Sequence, residues 1–238
     1  MTYKPRTRLG RLLAPSLIDV VPRDHSETAA RLLRRRCIVG VTLIAGAILL
    51  GLSLSKDPGD RSFYTYSLAV AATWLIGGLA SGPLHFGHII FRDTMRRPIL
   101  TPFLTGLAAA AVFIGGAFLV REIPPLRDYV NSVLSHASRT SLLWITVVTA
   151  VNGVAEEVFF RGAVYAAVGG PHAVIITTAV YALVTVATGN PMLVFAAVTL
   201  GLVLGLQRRS SGGVLAPIIT HVTWSLLMLY LLPVVLPD

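Results

Sequence analysis

Apolar residues run along this chain in seven long stretches, separated by short polar or Gly- and Pro-rich breaks. The stretches are Cys37 to Ser55, Ser62 to Leu84, Pro98 to Val120, Ser141 to Val168, His172 to Thr188, Met192 to Leu206, and Val214 to Leu236. Each approaches or reaches the roughly 20 residues that a helix needs to cross a bilayer. The pattern therefore predicts an all-α, polytopic transmembrane helical bundle of seven to eight spans. The fifth and sixth stretches are short, and are expected to be tilted, partial or buried by protein. Leu126 to Ser138 is the candidate for an eighth, interfacial helix. The first stretch begins only at Cys37 and ends in GLSLSKDPGD without a small-residue cleavage site, so it reads as a retained helix. Gly77-Gly78 reads as a site of close helix packing, and His85 and His88 are expected to share one helical face at a membrane edge. Trp144, Trp224 and Tyr230 read as lipid anchors or packing residues.

Composition agrees with a membrane protein. Of the 238 residues, 54% are hydrophobic and only 13% are charged, against about a quarter charged in soluble domains. The net charge of +9 is uneven: Lys4, Arg6, Arg8, Arg11, Arg23, Arg31, Arg34, Arg35 and Arg36 all precede the first span. A basic block in that place is expected to face anionic lipid and set orientation. Without aromatic interleaving or a nucleic-acid motif, it does not read as a nucleic-acid-binding segment. With the N-terminus cytoplasmic, the inner segments also hold Arg92, Arg96, Arg97, Arg208 and Arg209, and the outer loops hold only Lys56, Arg61, Arg121, Arg127 and Arg139. This asymmetry predicts an integral membrane protein, of a bacterial inner membrane, with a cytoplasmic N-terminus. The chain divides into a basic N-terminal segment (1–36), N-terminal transmembrane helices (37–140) and a C-terminal helical core (141–238). The lone Cys37 excludes an intrachain disulfide and any multi-cysteine metal site.

The chemistry concentrates in VTAVNGVAEEVFFRGAVYAAV, where Glu156 and Glu157 stand side by side within an apolar stretch. An ionised carboxylate is costly in hydrocarbon and so faces a bundle interior or an aqueous cavity. On a helix, Glu157 and Arg161 are i, i+4 partners, while Glu156 points about 100° away and has no such partner. Glu157 thus reads as the structural carboxylate and Glu156 as the one free for chemistry. Asn152, one turn before Glu156, is a candidate to orient it. Counting residues from the Gly169-Gly170-Pro171 turn places Thr185 at the depth of Glu156. His221 and Ser225 approach from the last stretch, so the four are expected to converge on one polar cavity.

This constellation resembles the CPBP family (CAAX protease and bacteriocin-processing), which includes prenyl-protein endopeptidases. The resemblance covers roughly Ser141 to Pro233. Glu156-Glu157-Val158-Phe159-Phe160-Arg161-Gly162 matches the first family motif, EExxxR, in full. His221 matches the histidine of the third motif, with Ser225 where the family has asparagine. Tyr181 through Thr185 is the candidate for the second motif, an aromatic followed four residues later by histidine, and here the histidine position is Thr185. The resemblance implies Glu156 as general base activating water, His221 as oxyanion donor with Ser225 a weaker substitute for the amide, and Glu157 held by Arg161. Threonine cannot act as a base near neutral pH.

The family is often called metalloprotease, but here only Glu156, Glu157 and His221 remain as ligands. Catalytic zinc uses three good protein ligands with an open position, so the ligand count argues against a stable zinc site, and no cofactor is assigned. The function implied is an intramembrane endopeptidase hydrolysing a peptide bond of a membrane-anchored protein or peptide. Two other readings stand beside it. One is a catalytically reduced member serving as a binding or accessory subunit, which Thr185 and Ser225 favour. The other is a small proton-coupled transporter, which the lack of an inverted repeat disfavours. Oligomeric state is left open.

Overall fold

A computed structural model describes residues 8–91, 94–138 and 141–236. Lys4, Arg6, Arg92 and Arg139, which enter the charge asymmetry, lie outside the described residues. In chain order the elements are α1 (Arg8–Leu17), α2 (Ala29–Leu54), α3 (Arg61–Ser81), a small antiparallel hairpin of β1 (Ile89–Phe91) and β2 (Thr94–Arg96), α4 (Leu100–Val120) and α5 (Pro124–Ser138). The second half holds α6 (Leu142–Glu157), a π-helical segment (Val158–Val164), α7 (Tyr165–Val168), α8 (Ala173–Thr185) with a 3₁₀ turn (Val186–Thr188), α9 (Pro191–Ser211) and α10 (Leu215–Val235).

Six helices among the described residues are long and apolar enough to cross a membrane: α2, α3, α4, the continuous Leu142–Val168, α9 and α10. The expected count of seven to eight is therefore not reached by length. The 13 residues of α8 span roughly 20 Å at 1.5 Å per residue, short of a hydrocarbon core of about 30 Å. The stretch expected as an eighth helix does form α5, of 15 residues. The outward faces carry large apolar side chains such as Val41, Ile76, Val112, Leu143 and Leu183, all largely exposed. That surface suits lipid and not water, so the chain is an all-helical integral membrane protein.

Local chemistry sets the helix ends. Thr28, Asp60 and Asn190 each accept a backbone N–H of the first turn of α2, α3 and α9, offsetting donors that a helix start leaves unpaired. Asn190 is followed by Pro191 at the first helical position, where a missing N–H costs nothing. Helix α3 stops at Ser81 because Gly82 and Pro83 follow. His85 and His88 consequently lie in an extended segment and do not share a helical face.

Packing is closest where small residues meet large ones. Any Cβ on Gly46 would fall inside the Trp74 ring, and Gly77 and Gly78 abut Thr42 and Val158. Trp74, fully buried, stacks on Phe159 with ring centroids 4.7 Å apart and leans on Phe160 at 5.2 Å. Together with Val70, Ala155, Ala163 and Val184 these rings form a core that clamps the π-helical segment between α3 and α8.

The loops gather into two chemically different ends. At the basic end the N-terminal strap crosses the helix ends: the Val21 amide donates to the Ser210 carbonyl (3.0 Å), and Ser16 bonds Thr101 (2.6 Å). The segment after α3 pairs with the start of α10 through Val214 N to His85 O (2.9 Å) and Leu215 N to Phe86 O (3.2 Å). Arg35, buried, is paired with Glu27 and donates to Ser81, and Arg36 donates to the Ala167 carbonyl. The opposite end is built from the α2–α3 loop, α5 and the turn before α9.

His25 in the strap stacks face to face on His85, with centroids 3.8 Å apart. Burial, then the positive neighbours His85, Arg208 and Arg23, hold its pKa down at about 4, with Asp24 opposing weakly. The unfolded chain takes up this proton near pH 6.5 while the native state resists until about pH 4. Native stability is thus lost as pH falls across that window, and it is unaffected by this group above it. Unfolding measured against pH should show the loss, and His25→Gln should flatten it.

Candidate active site

The π-helical segment begins immediately after the paired glutamates. Bonding from i to i+5 packs more residues into each turn, and such segments recur at functional sites. The two carboxylates just before it, about 100° apart on the helix, face different helices. Glu157 is fully buried: Oε1 accepts from Arg161 Nη1 at 2.9 Å and from His221 Nδ1 at 2.8 Å. Arg161 also donates to the Gly201 carbonyl of α9 at 3.3 Å, and its guanidinium lies 4.9 Å from the centre of the Tyr181 ring. From beyond, Arg208 Nε donates to the Arg161 carbonyl at 2.7 Å. The expected Glu157–Arg161 pair is present, and it holds α10 as well as its own helix.

Glu156 is half-buried, and its Oε2 accepts from the Tyr181 hydroxyl at 2.5 Å. Both Glu156 and His221 line one cavity of about 180 Å³ between α2, α3, α6, α8, α9 and α10. Thr185, Phe160, Trp74 and Trp224 share its walls. With Nδ1 engaged by Glu157, Nε2 is the ring nitrogen that His221 has left for a ligand or water.

Glu156, Thr185 and His221 are brought together as the spacing predicts. Thr185 is not the partner of Glu156, however: its hydroxyl donates to the Tyr181 carbonyl at 2.8 Å. The residue that reaches the carboxylate is Tyr181, one turn nearer the Gly169-Gly170 break, whose hydroxyl is carried there by its long side chain. Ser225 is half-buried on α10 and is not among the residues lining the cavity. The Asn152 side-chain amide donates to the Val148 carbonyl of its own helix at 2.9 Å.

Sequence reasoning missed Tyr181 and Trp224 as site residues. The signal for Tyr181 was present, since it is the aromatic of the second-motif candidate. Trp224 sits three residues after His221 and so falls on the same helical face. Its buried indole N–H has no acceptor among the described residues, which makes it a free donor beside the cavity.

The donor set does not fit a catalytic zinc. Glu157 is not among the residues lining the cavity, its Oε1 is shared by Arg161 and His221 while its buried Oε2 has no partner among the described residues, and His221 Nδ1 is spent on Glu157. The cavity is left with Glu156 and one imidazole nitrogen, short of the three protein ligands such a site requires.

A multi-helix membrane protein with a buried Glu–Arg–His network beside a second carboxylate is the class that fold and site define. Residues 138–227 match the protein-family model described as type II CAAX prenyl endopeptidase Rce1-like, a likeness consistent with the CPBP family. No curated protein and no solved structure matches the chain.

Proposed function

We propose that the protein is an intramembrane endopeptidase that hydrolyses a peptide bond of a membrane-associated protein or peptide. The observation that carries this reading is that Glu156 and His221, on different helices, face one small cavity, each pre-positioned by a partner of its own. Glu156 takes a proton from water as the resulting hydroxide attacks the peptide carbonyl carbon. Protonated His221, steadied through Nδ1 by Glu157, donates from Nε2 to the carbonyl oxygen that becomes negative. Collapse of the tetrahedral intermediate breaks the C–N bond, and Glu156 returns its proton to the leaving nitrogen.

Tyr181 steadies Glu156 where the family motif would lead one to look for a histidine's help, and Thr185 lines the wall. Substrates of the class implied by the Rce1-like match are prenylated CAAX tails; a processed peptide or an extended membrane-protein segment fits the same chemistry. The charge asymmetry supports a cytoplasmic basic end in a bacterial inner membrane, with anionic lipid against the N-terminal arginines.

The test is cleavage of a panel of membrane-anchored peptides by purified protein in liposomes, in isotopically labelled water. The expected result is one cleavage site, with a single labelled oxygen in the new C-terminal carboxylate. A wild type that cleaves nothing, with cleavage appearing in Thr185→His, would overturn the reading in favour of a lapsed enzyme acting as an accessory subunit.

A further inference from the structure

Arg208, near the C-terminal end of α9, is a buried cation with most of its donors unused. Only 4% of it is exposed. Its Nε donates to the Arg161 carbonyl at 2.7 Å, and the guanidinium lies 4.8 Å from the centre of the Tyr165 ring. These two contacts fix the plane of the group. Neither Nη atom has an acceptor among the described residues, and neither is sealed from solvent as Arg161 Nε is. The charges that act on Arg208 are those of Arg23 and Arg35, with the Tyr165 phenol, and no carboxylate is among them. A cation in the last turn of a helix ordinarily serves the helix dipole from the surface. A buried guanidinium with open N–H groups and like-charged neighbours calls for a counter-charge.

The strap completes a cluster around this fork. Arg23 Nη1 donates to the Ser210 carbonyl (3.4 Å), and the side chain lies against Gly212, where any Cβ would meet its Cδ at 2.7 Å. His25, stacked on His85, is held at a pKa of about 4 by burial and then by His85, Arg208 and Arg23, against Asp24, so its ring is neutral near pH 7. The acids of this stretch are engaged elsewhere: Glu27 pairs with Arg35, and Asp24 accepts the Ser26 backbone N–H.

We propose that Arg208, Arg23 and His25 form a binding site for a phosphate group at the basic end, filled in the membrane by the headgroup of an anionic phospholipid. The guanidinium fork can give two parallel N–H bonds to one oxyanion. A planar carboxylate would be used up by that fork, whereas a tetrahedral phosphate keeps oxygens for Arg23 and the His25 ring. Arg208 stands one turn or less from the end of α9 at Ser211, about 4.5 Å along the axis. That is the depth of headgroups and not of hydrocarbon, and basic pockets between helices on the cytoplasmic side suit such headgroups. The site does not depend on the peptidase chemistry.

The His25 ring reads occupancy without any activity, because a phosphate beside it favours its protonated form. In the full chain in phosphatidylcholine nanodiscs, its nuclear magnetic resonance signal should titrate near pH 4. Replacing part of the lipid with phosphatidylglycerol should raise that midpoint by at least about one pH unit, levelling off as the fraction grows. His172, exposed at the same end outside the cluster, should move far less. Arg23→Gln, at an exposed position, should abolish the lipid-dependent part of the rise, as should Arg208→Gln if it folds. An equal rise with inorganic phosphate in phosphatidylcholine alone would support the phosphate site and put a soluble anion in place of the lipid. No rise with either anion, an equal rise at His172, or a rise that survives Arg23→Gln would each overturn the proposal.

Discussion

Glu156→Gln is expected to lower peptide cleavage by about 10²–10⁴-fold, the usual contribution of one general base, while the protein folds and extracts from membranes as wild type does. The amide keeps the size of the side chain and can still accept from the Tyr181 hydroxyl, so the 2.5 Å contact has a near-equivalent. What it loses is the ability to take a proton from water. The measurement is the initial rate on a membrane-anchored peptide, alongside thermal unfolding in detergent. Undiminished cleavage by Glu156→Gln would remove this carboxylate from the mechanism. Tyr181→Phe provides the complementary reading: it leaves the base in place but frees it to wander, so its rate should fall between those of wild type and Glu156→Gln.

Glu157→Ala should fail differently, by unfolding. Glu157 Oε1 accepts from Arg161 and His221 in a site closed to solvent. Removing one partner of a buried pair leaves the other charge uncompensated, at a cost of about 3–5 kcal/mol. The result expected is a marked loss of folded protein and of unfolding temperature. Glu157→Leu combined with Arg161→Met should recover much of that stability, because a buried ion pair is often replaceable by apolar residues of similar volume. The double variant should nevertheless remain inactive, since His221 has lost the acceptor that orients its ring. A stable, fully active Glu157→Ala would show that the network neither holds the fold nor aims the histidine.

These two outcomes separate residues that are neighbours in sequence. The pairing of Glu157, and not Glu156, with Arg161 was legible beforehand, because helical geometry turns adjacent side chains by about 100° and gives only Glu157 an arginine at i+4. The attachment of His221 to Glu157 was not legible. It depends on how α10 is rotated and how deep it sits, and no spacing within α6 carries that information. Thr185 was matched to Glu156 by counting residues from the Gly-Gly-Pro turn, a count that assumes about 1.5 Å of rise per residue throughout. The π-helical Val158–Val164 departs from that rise, and the contact is made by the long side chain of Tyr181 and not by Thr185. Trp224, read as a lipid anchor or packing residue, lines the cavity because its face of α10 is also the face of His221.

What is local, or imposed by the bilayer, can be read directly along the chain. Long apolar runs must become helices because hydrocarbon leaves no other partner for backbone polar groups, and Gly82-Pro83 or Asn190-Pro191 must end or start them. The pairing of Glu157 with Arg161 follows from one turn of helix. Tertiary structure alone decided what depends on several helices at once: the shared hold of Arg161 and His221 on Glu157, the meeting of Tyr181 with Glu156, the strap across the basic end, and the cavity between the helices. Each arises from the rotation and depth of one rigid helix against another. Those are set by packing such as Trp74 on Phe159 against Gly46, which a pattern read along a single chain does not encode.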